Sequence, residues 1–433
     1  MTAGHNPGRG GTPSRRMRRL LLSVLAVTGV WTTCLVGPVP TAHAEDIRPR
    51  QWYLDAMRAE EMWKVSTGEG IKVAVIDSGV NASTDALRGQ VLPGEDMTDA
   101  PGEATDDYSG HGTDMAEIIA GTGRNGSIRG LAPGAKIIPY RIPLEGLGHE
   151  IKADGYVKAI RAAADSDAKI INMSFSGPYY DAAGAEAVEY AIGKGKLLFA
   201  GVGNDAEKGN KQQYPASYVG VVGVGATDRQ GEVTEFSQHG LNVDLSAPGV
   251  DVPGWCDERF EEYCPDGAGT SVATAIASAS AALIWAEHPD WTANQVLRVL
   301  VDTAGRKDGK KGVSSVYIGY GAVRPRIHLL EGKGDPGDPN ENPIEATEPT
   351  PSASASPPQG ERDGKNDRSD AGGKSEGQKG QADDDAGSAD NADTRATESK
   401  DDGDLWILLG AGAAVAIVVA GAFVLVRRAI RRT

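Results

Sequence analysis

Three short motifs occur in order along the chain: Asp77-Ser78-Gly79, His111-Gly112-Thr113 and Gly269-Thr270-Ser271. Each sets a residue able to move a proton or attack a carbonyl beside glycine. Singly they read as turns. Together they supply what a hydroxyl nucleophile requires, because serine attacks poorly until an imidazole takes its proton. That imidazole in turn needs a carboxylate to fix its tautomer and stabilise its cation. The chemistry they predict is acyl transfer through Ser271, with His111 as base and Asp77 behind it. A fourth candidate follows an apolar run, Leu198 to Val202, that ends in Gly203-Asn204-Asp205. A side-chain amide at Asn204 can donate to the oxyanion of a tetrahedral intermediate.

These residues need a frame. Lys72 to Ile76 is a short apolar run suited to a parallel strand buried on both faces, which places Asp77 at its carboxyl end, where open α/β sheets carry their chemistry. His111 precedes a helical segment, 114–121, and Ser271 opens a small-residue helix, 272–286, whose N-terminal dipole favours negative charge. Strand signals at 136–141, 169–174, 197–202 and 219–226 alternate with helix signals at 151–164 and 181–194. The fold class predicted is α/β: a parallel sheet with helices on both faces.

The order Asp, His, Ser is that of subtilisin among the known triads, and seven segments in sequence resemble the subtilase family. They are VAVIDSGV (73–80), SGHGT (109–113), NMSFSG (172–177), FAGVGND (199–205), VGVGATDRQGEVTEFSQHG (222–240), LSAPG (245–249) and GTSVATA (269–275). The resemblance covers about 51–330. It implies a triad of Asp77, His111 and Ser271 with Asn204 in the oxyanion hole. It further implies that Ser174, Phe175, Ser176 and Gly177 offer an edge to which an extended peptide pairs. Ala200, Gly201, Val202 and Gly203 then wall an uncharged specificity pocket, with Asp205 at its rim. Two places depart from the family pattern: Asp114-Met115-Ala116-Glu117 puts charge on the histidine's helix, and Thr274-Ala275 follows the serine where Ala-Pro is usual. A buried Glu117 would need polar partners.

Composition divides the rest. Residues 1–44 carry Arg15, Arg16, Arg18 and Arg19, an apolar run and Ala42-His43-Ala44, the pattern of a signal peptide. Residues 45–330 then form the peptidase domain behind a short N-terminal extension. Too few residues lie between the signal and Gln51 for a folded prodomain. From 331 to 404 only Ile344 remains of the large aliphatic residues, and 20 acidic side chains face eight basic ones. This predicts a disordered acidic linker that holds 12 of the 16 net negative charges. The acidity therefore says nothing of the enzyme's substrate, and no nucleic-acid partner is expected. Residues 405–426 are uncharged and about 33 Å long as a helix, enough to span a ~30 Å hydrocarbon core. Arg427, Arg428, Arg431 and Arg432 in the tail 427–433 predict a cytoplasmic C-terminus and an outward-facing domain at the cell membrane.

Two cysteines remain past the signal. Cys256 and Cys264 stand eight residues apart in an exported loop, which predicts a disulfide, the alternative being two free thiols. No Cys/His cluster has metal spacing, and no cofactor or metal is expected.

A short extension, a subtilase domain, a Pro-rich acidic linker and one membrane helix together resemble the mycosins, membrane-anchored proteases associated with type VII secretion in actinobacteria. The entry Gln51-Trp52-Tyr53-Leu54 resembles theirs as well. The resemblance implies an endopeptidase that processes exported proteins, with protein or peptide substrates and type VII secretion membrane components as partners. Two other readings stand beside it: a structural member of the secretion complex with dispensable catalysis, and a general surface protease.

Overall fold

The computed structural model describes residues 46–144, 154–307, 309 and 312–344. The signal segment 1–44, the apolar stretch 405–426, the tail 427–433 and most of the acidic linker lie outside the described residues. Among the described residues no helix is long and apolar enough to cross a membrane.

The chain enters through two short helices, α1 (Trp52–Ala56) and α2 (Ala59–Met62). Gln51 is fully buried just before them. Its Nε2 donates to Tyr53 Oη and to the Arg129 carbonyl, both at 2.8 Å, and its Oε1 accepts from Arg129 N at 2.9 Å. This reciprocal pairing makes the entry segment part of the domain.

Strands and helices then alternate: β1 (Lys72–Asp77), β2 (Glu95–Asp96), α3 (His111–Ala120), β3 (Lys136–Arg141), α4 (Gly155–Asp165), β4 (Ile170–Met173), α5 (Ala182–Gly193), β5 (Leu197–Gly201), β6 (Val221–Thr227) and β7 (Leu245–Pro248). All seven strands join one parallel sheet in the order β2-β3-β1-β4-β5-β6-β7. Apart from the short edge strand β2, Glu95-Asp96, the strands are largely buried on both faces because helices cover both. Val73 and Val75 of β1 point into one core with α3, while Ala74 and Ile76 point into the other with α4 and α5. With β3 on one side of β1 and β4 on the other, the sheet changes its direction of growth at β1. A crevice at the carboxyl ends of the strands results.

A two-stranded antiparallel hairpin, β8 (Val252–Trp255) and β9 (Tyr263–Gly267), precedes α6 (Thr270–Glu287), followed by α7 (Ala293–Thr303) and α8 (Pro325–Glu331). Helix α6 is buried almost all round, which its Ala and Ser side chains permit by letting neighbours approach closely. Its hydroxyls are internally satisfied: Thr274 Oγ1 donates to the Thr270 carbonyl at 2.7 Å and Ser278 Oγ to Asn172 Oδ1 at 2.9 Å. The Thr274 departure from the family pattern therefore leaves no polar orphan.

Three features differ from the sequence expectation. The helix expected from Asp114 starts at His111. Strand β7, the hairpin, α7 and α8 have no counterpart among the expected elements. The chain also stays on the domain beyond the compositional boundary at 331. Thr292 Oγ1 and Asn294 Nδ2 donate to the Pro339 carbonyl, Gln295 Nε2 donates to that of Gly337, and Ile344 packs against the core. Backbone carbonyls hold this stretch, so it carries little apolar signal.

Candidate active site

Asp77 ends β1, fully buried, and His111 begins α3. Nδ1 of His111 lies 2.8 Å from Asp77 Oδ1. Facing a carboxylate, that nitrogen carries the proton, which leaves Nε2 turned to the crevice as the basic site. Gly112 is required for the approach: a Cβ there would stand 2.1 Å from the Gly79 carbonyl and 3.0 Å from Asp77 Cβ. The imidazole keeps 39% of its surface exposed. Its partial burial opposes the charged form, but the Asp77 carboxylate and its hydrogen bond, with the charges of Asp114 and Asp107, outweigh this and push the pKa up to about 9.

Asp107 is a residue that motif reading did not single out. Its Oδ1 accepts from Ser78 Oγ and from the N–H groups of Ser109 and Gly110, at 2.8, 3.0 and 2.9 Å. Its Oδ2 accepts from Thr113 N and Oγ1 at 2.9 and 2.6 Å. One carboxylate thus ties the Asp77 turn to the first turn of α3. The only sequence signal is the Asp-x-Ser spacing of an Asx turn, too common to be distinctive.

Ser271 lies in the first turn of α6, on the far side of the crevice. Its Oγ donates to the Ser174 carbonyl at 3.1 Å, and Ser174 Oγ donates back to the Ser271 carbonyl at 3.2 Å. The partner of the Ser271 hydroxyl is thus the Ser174 carbonyl, just after β4. Asn204 is set from the next strand. Its Oδ1 accepts from Thr270 N at 2.9 Å and Thr270 Oγ1 at 3.0 Å, and this fixes the amide with Nδ2 turned away. A Cβ built on Gly269 would lie 3.5 Å from Asn204 Nδ2 and 3.7 Å from Ser271 N. Without a side chain, Gly269 leaves the space beside these two nitrogen atoms unfilled.

Two of the segments expected to bind substrate touch the start of α6: Ser174 exchanges hydrogen bonds with Ser271, and Gly203 N donates to Thr270 Oγ1 at 3.2 Å. Ser174 to Gly177 follow β4, and Ala200 to Gly203 follow the line of β5, with Ala200 and Val202 fully buried. Phe175 packs edge-on to Tyr156, with ring centroids 6.0 Å apart. Gly177 is committed elsewhere: its N–H and carbonyl both pair with Tyr214, at 2.9 and 2.8 Å, which removes it from the edge expected to pair with a peptide. Asp205 is exposed and pairs with Lys208 at 3.1 Å, without capping the segment that follows through its side chain. Among the described residues no group of three or more His, Cys, Asp and Glu is placed to hold a metal ion.

The charges on α3 are met by the hairpin. Trp255 N donates to Asp114 Oδ1 at 2.6 Å. Trp255 Nε1 and Tyr263 Oη donate to the two oxygens of Glu117 at 3.1 and 2.9 Å. Burial pushes the Asp114 carboxyl well above the usual range. It pushes Glu117 up to about 7, against the hydrogen bonds from Thr84, Tyr263 and Trp255. Cys256 and Cys264 are bonded, with Cα atoms 5.0 Å apart.

Comparison with known proteins decides the family, whose match spans residues 68–321. The chain belongs to the subtilase family. It is 34% identical over 261 residues to the major intracellular serine protease of Bacillus subtilis (strain 168), a match covering 58% of this chain and 79% of that one. Among solved structures it is similar to the serine protease MycP1, an essential component of the type VII (ESX-1) secretion system. That match has a TM-score of 0.56 and 30% identity, and covers 67% of this chain and 90% of that one. It is also similar to the MycP3 protease of the type VII (ESX-3) system, with TM-score 0.55, 28% identity, and coverage of 64% and 87%. This subtilase is a serine endopeptidase with a subtilisin-like α/β fold and mycosins among its structural neighbours.

Proposed function

We propose that this subtilase is a membrane-anchored, extracytoplasmic endopeptidase that cleaves exported proteins of a type VII secretion system through Asp77, His111, Ser271 and Asn204. The observation that carries the chemical part is the Asp77–His111 hydrogen bond at 2.8 Å; Ser271 in the first turn of α6 and the Asn204 and Ser271 nitrogens beside Gly269 support the rest of the reading. In this reading a peptide pairs with Ser174 to Ser176. Ser271 Oγ then attacks the scissile carbonyl while His111 Nε2 takes its proton, and Asp77 stabilises the imidazolium. The oxyanion accepts from Asn204 Nδ2 and Ser271 N. His111 returns the proton to the departing amine, and water repeats the sequence to free the acyl group. The secretion role is supported by the likeness to MycP1 and MycP3. Anchoring is supported by the uncharged stretch 405–426 with arginines directly after it.

The test is Ser271→Ala in the full-length protein. Peptide hydrolysis should fall by at least a thousandfold while the variant stays folded and membrane-bound, and undiminished hydrolysis would sink the assignment. Comparing the culture-fluid proteome of wild-type and Ser271→Ala strains then separates the biological readings. Uncut secretion substrates support processing, blocked export in a strain lacking the protein but not in Ser271→Ala supports a structural role, and broad change in unrelated proteins supports a general protease.

A further inference from the structure

The β8–β9 hairpin supplies none of the four site residues, yet it grips the histidine's helix on both sides of His111. On one side, the Asp257 carbonyl lies where a Cβ on Gly110 would come within 3.2 Å of it. On the other, Trp255 N holds Asp114 Oδ1, and Gly254 lies so close that a Cβ would meet Asp114 Oδ2 at 2.7 Å. One turn farther along α3, Trp255 and Tyr263 hold both oxygens of Glu117, whose side chain is fully buried. These two aromatic residues are register partners, their rings stacked with centroids 3.9 Å apart, and Phe260 packs edge-on to Trp255. Cys256 follows Trp255 and Cys264 follows Tyr263, so the disulfide closes the hairpin directly beside the gripping pair.

We propose that this hairpin is a clamp on the catalytic histidine, with Glu117 as the positioning residue it grips and the Cys256–Cys264 disulfide as its lock, so that peptidase activity depends on the oxidised bond. The proposal rests on the reading of His111 as general base. If the hairpin swings away, Asp114 loses the Trp255 N–H and Glu117 loses Trp255 and Tyr263, keeping only Thr84, on two consecutive turns of a helix packed against the core, and acceptors stripped of donors are costly. The helix relieves this only by turning or shifting outward. His111 lies on the same rigid element, so the shift moves Nε2 relative to Ser271 and Nδ1 relative to Asp77, and small misplacements of reacting groups cost rate steeply. The clamp is closed in an oxidising compartment and open in a reducing one.

The purified full-length protein is assayed oxidised, then after reduction with a phosphine and alkylation. The variants Glu117→Gln, Glu117→Ala, Tyr263→Phe and the double variant Cys256→Ser/Cys264→Ser are assayed beside it. Reduction and the double variant should lower kcat about tenfold with KM unchanged within twofold. The ascending limb of kcat/KM against pH should move to lower pH, because a loosened Asp77 contact no longer raises the His111 pKa. Glu117 raises the Asp114 pKa, and the Asp114 charge raises that of His111, so loss of charge alone in Glu117→Gln would push the limb to higher pH; a limb that moves to lower pH reports position. Reoxidation of reduced, unalkylated enzyme should restore the rate, and Glu117→Gln should keep part of what Glu117→Ala loses. Wild-type kcat with an unmoved limb in the reduced enzyme and in Tyr263→Phe would overturn the clamp, as would a loss confined to KM. Should the cysteine-free variant fail to fold, the reduced wild type and Tyr263→Phe still decide. An active Ser271→Ala enzyme would remove the triad reading instead, a result distinct from any of these.

Discussion

The Ser271 hydroxyl rests on Ser174 and not on His111, so two residues decide how the site responds when a substrate arrives. Asn204 has its oxygen spent on Thr270, which leaves Nδ2 as the donor that the proposed mechanism uses. Asn204→Ala should therefore lower kcat by about a hundred- to a thousandfold with little change in KM, the magnitude established for such a donor in subtilisin. Steady-state kinetics on one peptide decides it, and an equal change in KM would mean that Asn204 binds the ground state. His111 sets the pH response. With the Asp77 carboxylate pushing its pKa up to about 9, and with His111 as the proposed general base, kcat/KM should rise from pH 7 to 10 as the imidazole becomes a free base. Stability linked to the same group runs the other way. The folded pKa lies above the ordinary 6.5, so the Asp77–His111 contribution is complete below about pH 6.5 and is lost as pH rises through about 9. A rate limb centred below pH 7 would show that Asp77 does not govern His111.

At the scale of elements, the histidine's helix carries one fully buried carboxylate, Glu117, and one half-buried, Asp114, and the hairpin supplies donors to both. Burial raises the Glu117 pKa from 4.5 to about 7. The neutral carboxyl suits its surroundings, so its contribution to stability is full below about pH 4.5 and is lost as pH rises through about 7. Glu117→Gln is neutral throughout and should flatten the fall in Tm between pH 5 and 8. The effect should be roughly 2–4 °C for each kcal/mol in a domain of this size. Thermal melts of both proteins across that range test it; parallel curves would mean that Glu117 stays ionised in the fold. Helix α7 needs no such support, because Thr292 and Gln295 form a reciprocal capping box at its start.

For the whole molecule, the segment 332–344 runs along α7 and ends at Ile344 against the core, so the peptidase domain includes it. If residues 345–404 tether this domain to a membrane helix at 405–426, protease added to intact cells should cut past Ile344. It should release a soluble fragment with full peptidase activity. Mass spectrometry of the fragment's C-terminus checks the site. Protection of the tether until the cells are lysed would reverse the proposed orientation.

Much of the frame was legible because local rules wrote it. The apolar run before Asp77 predicted a buried strand, strand and helix periods alternated as a parallel sheet demands, and glycine marked the places where backbones must meet. By resemblance the subtilase landmarks named Asp77, His111, Ser271 and Asn204. Other features depended on partners distant in the chain. Nothing near Glu117 shows that Trp255 and Tyr263 will meet it, and a carboxylate on an apolar helix reads simply as a misfit. The bond from Ser78 to Asp107, the commitment of Gly177 to Tyr214 and the docking of 332–344 are likewise settled by hydrogen bonds across long sequence separations. Periodicity reports which face of an element is buried, whereas the partner that satisfies a buried polar atom is fixed only when the elements pack.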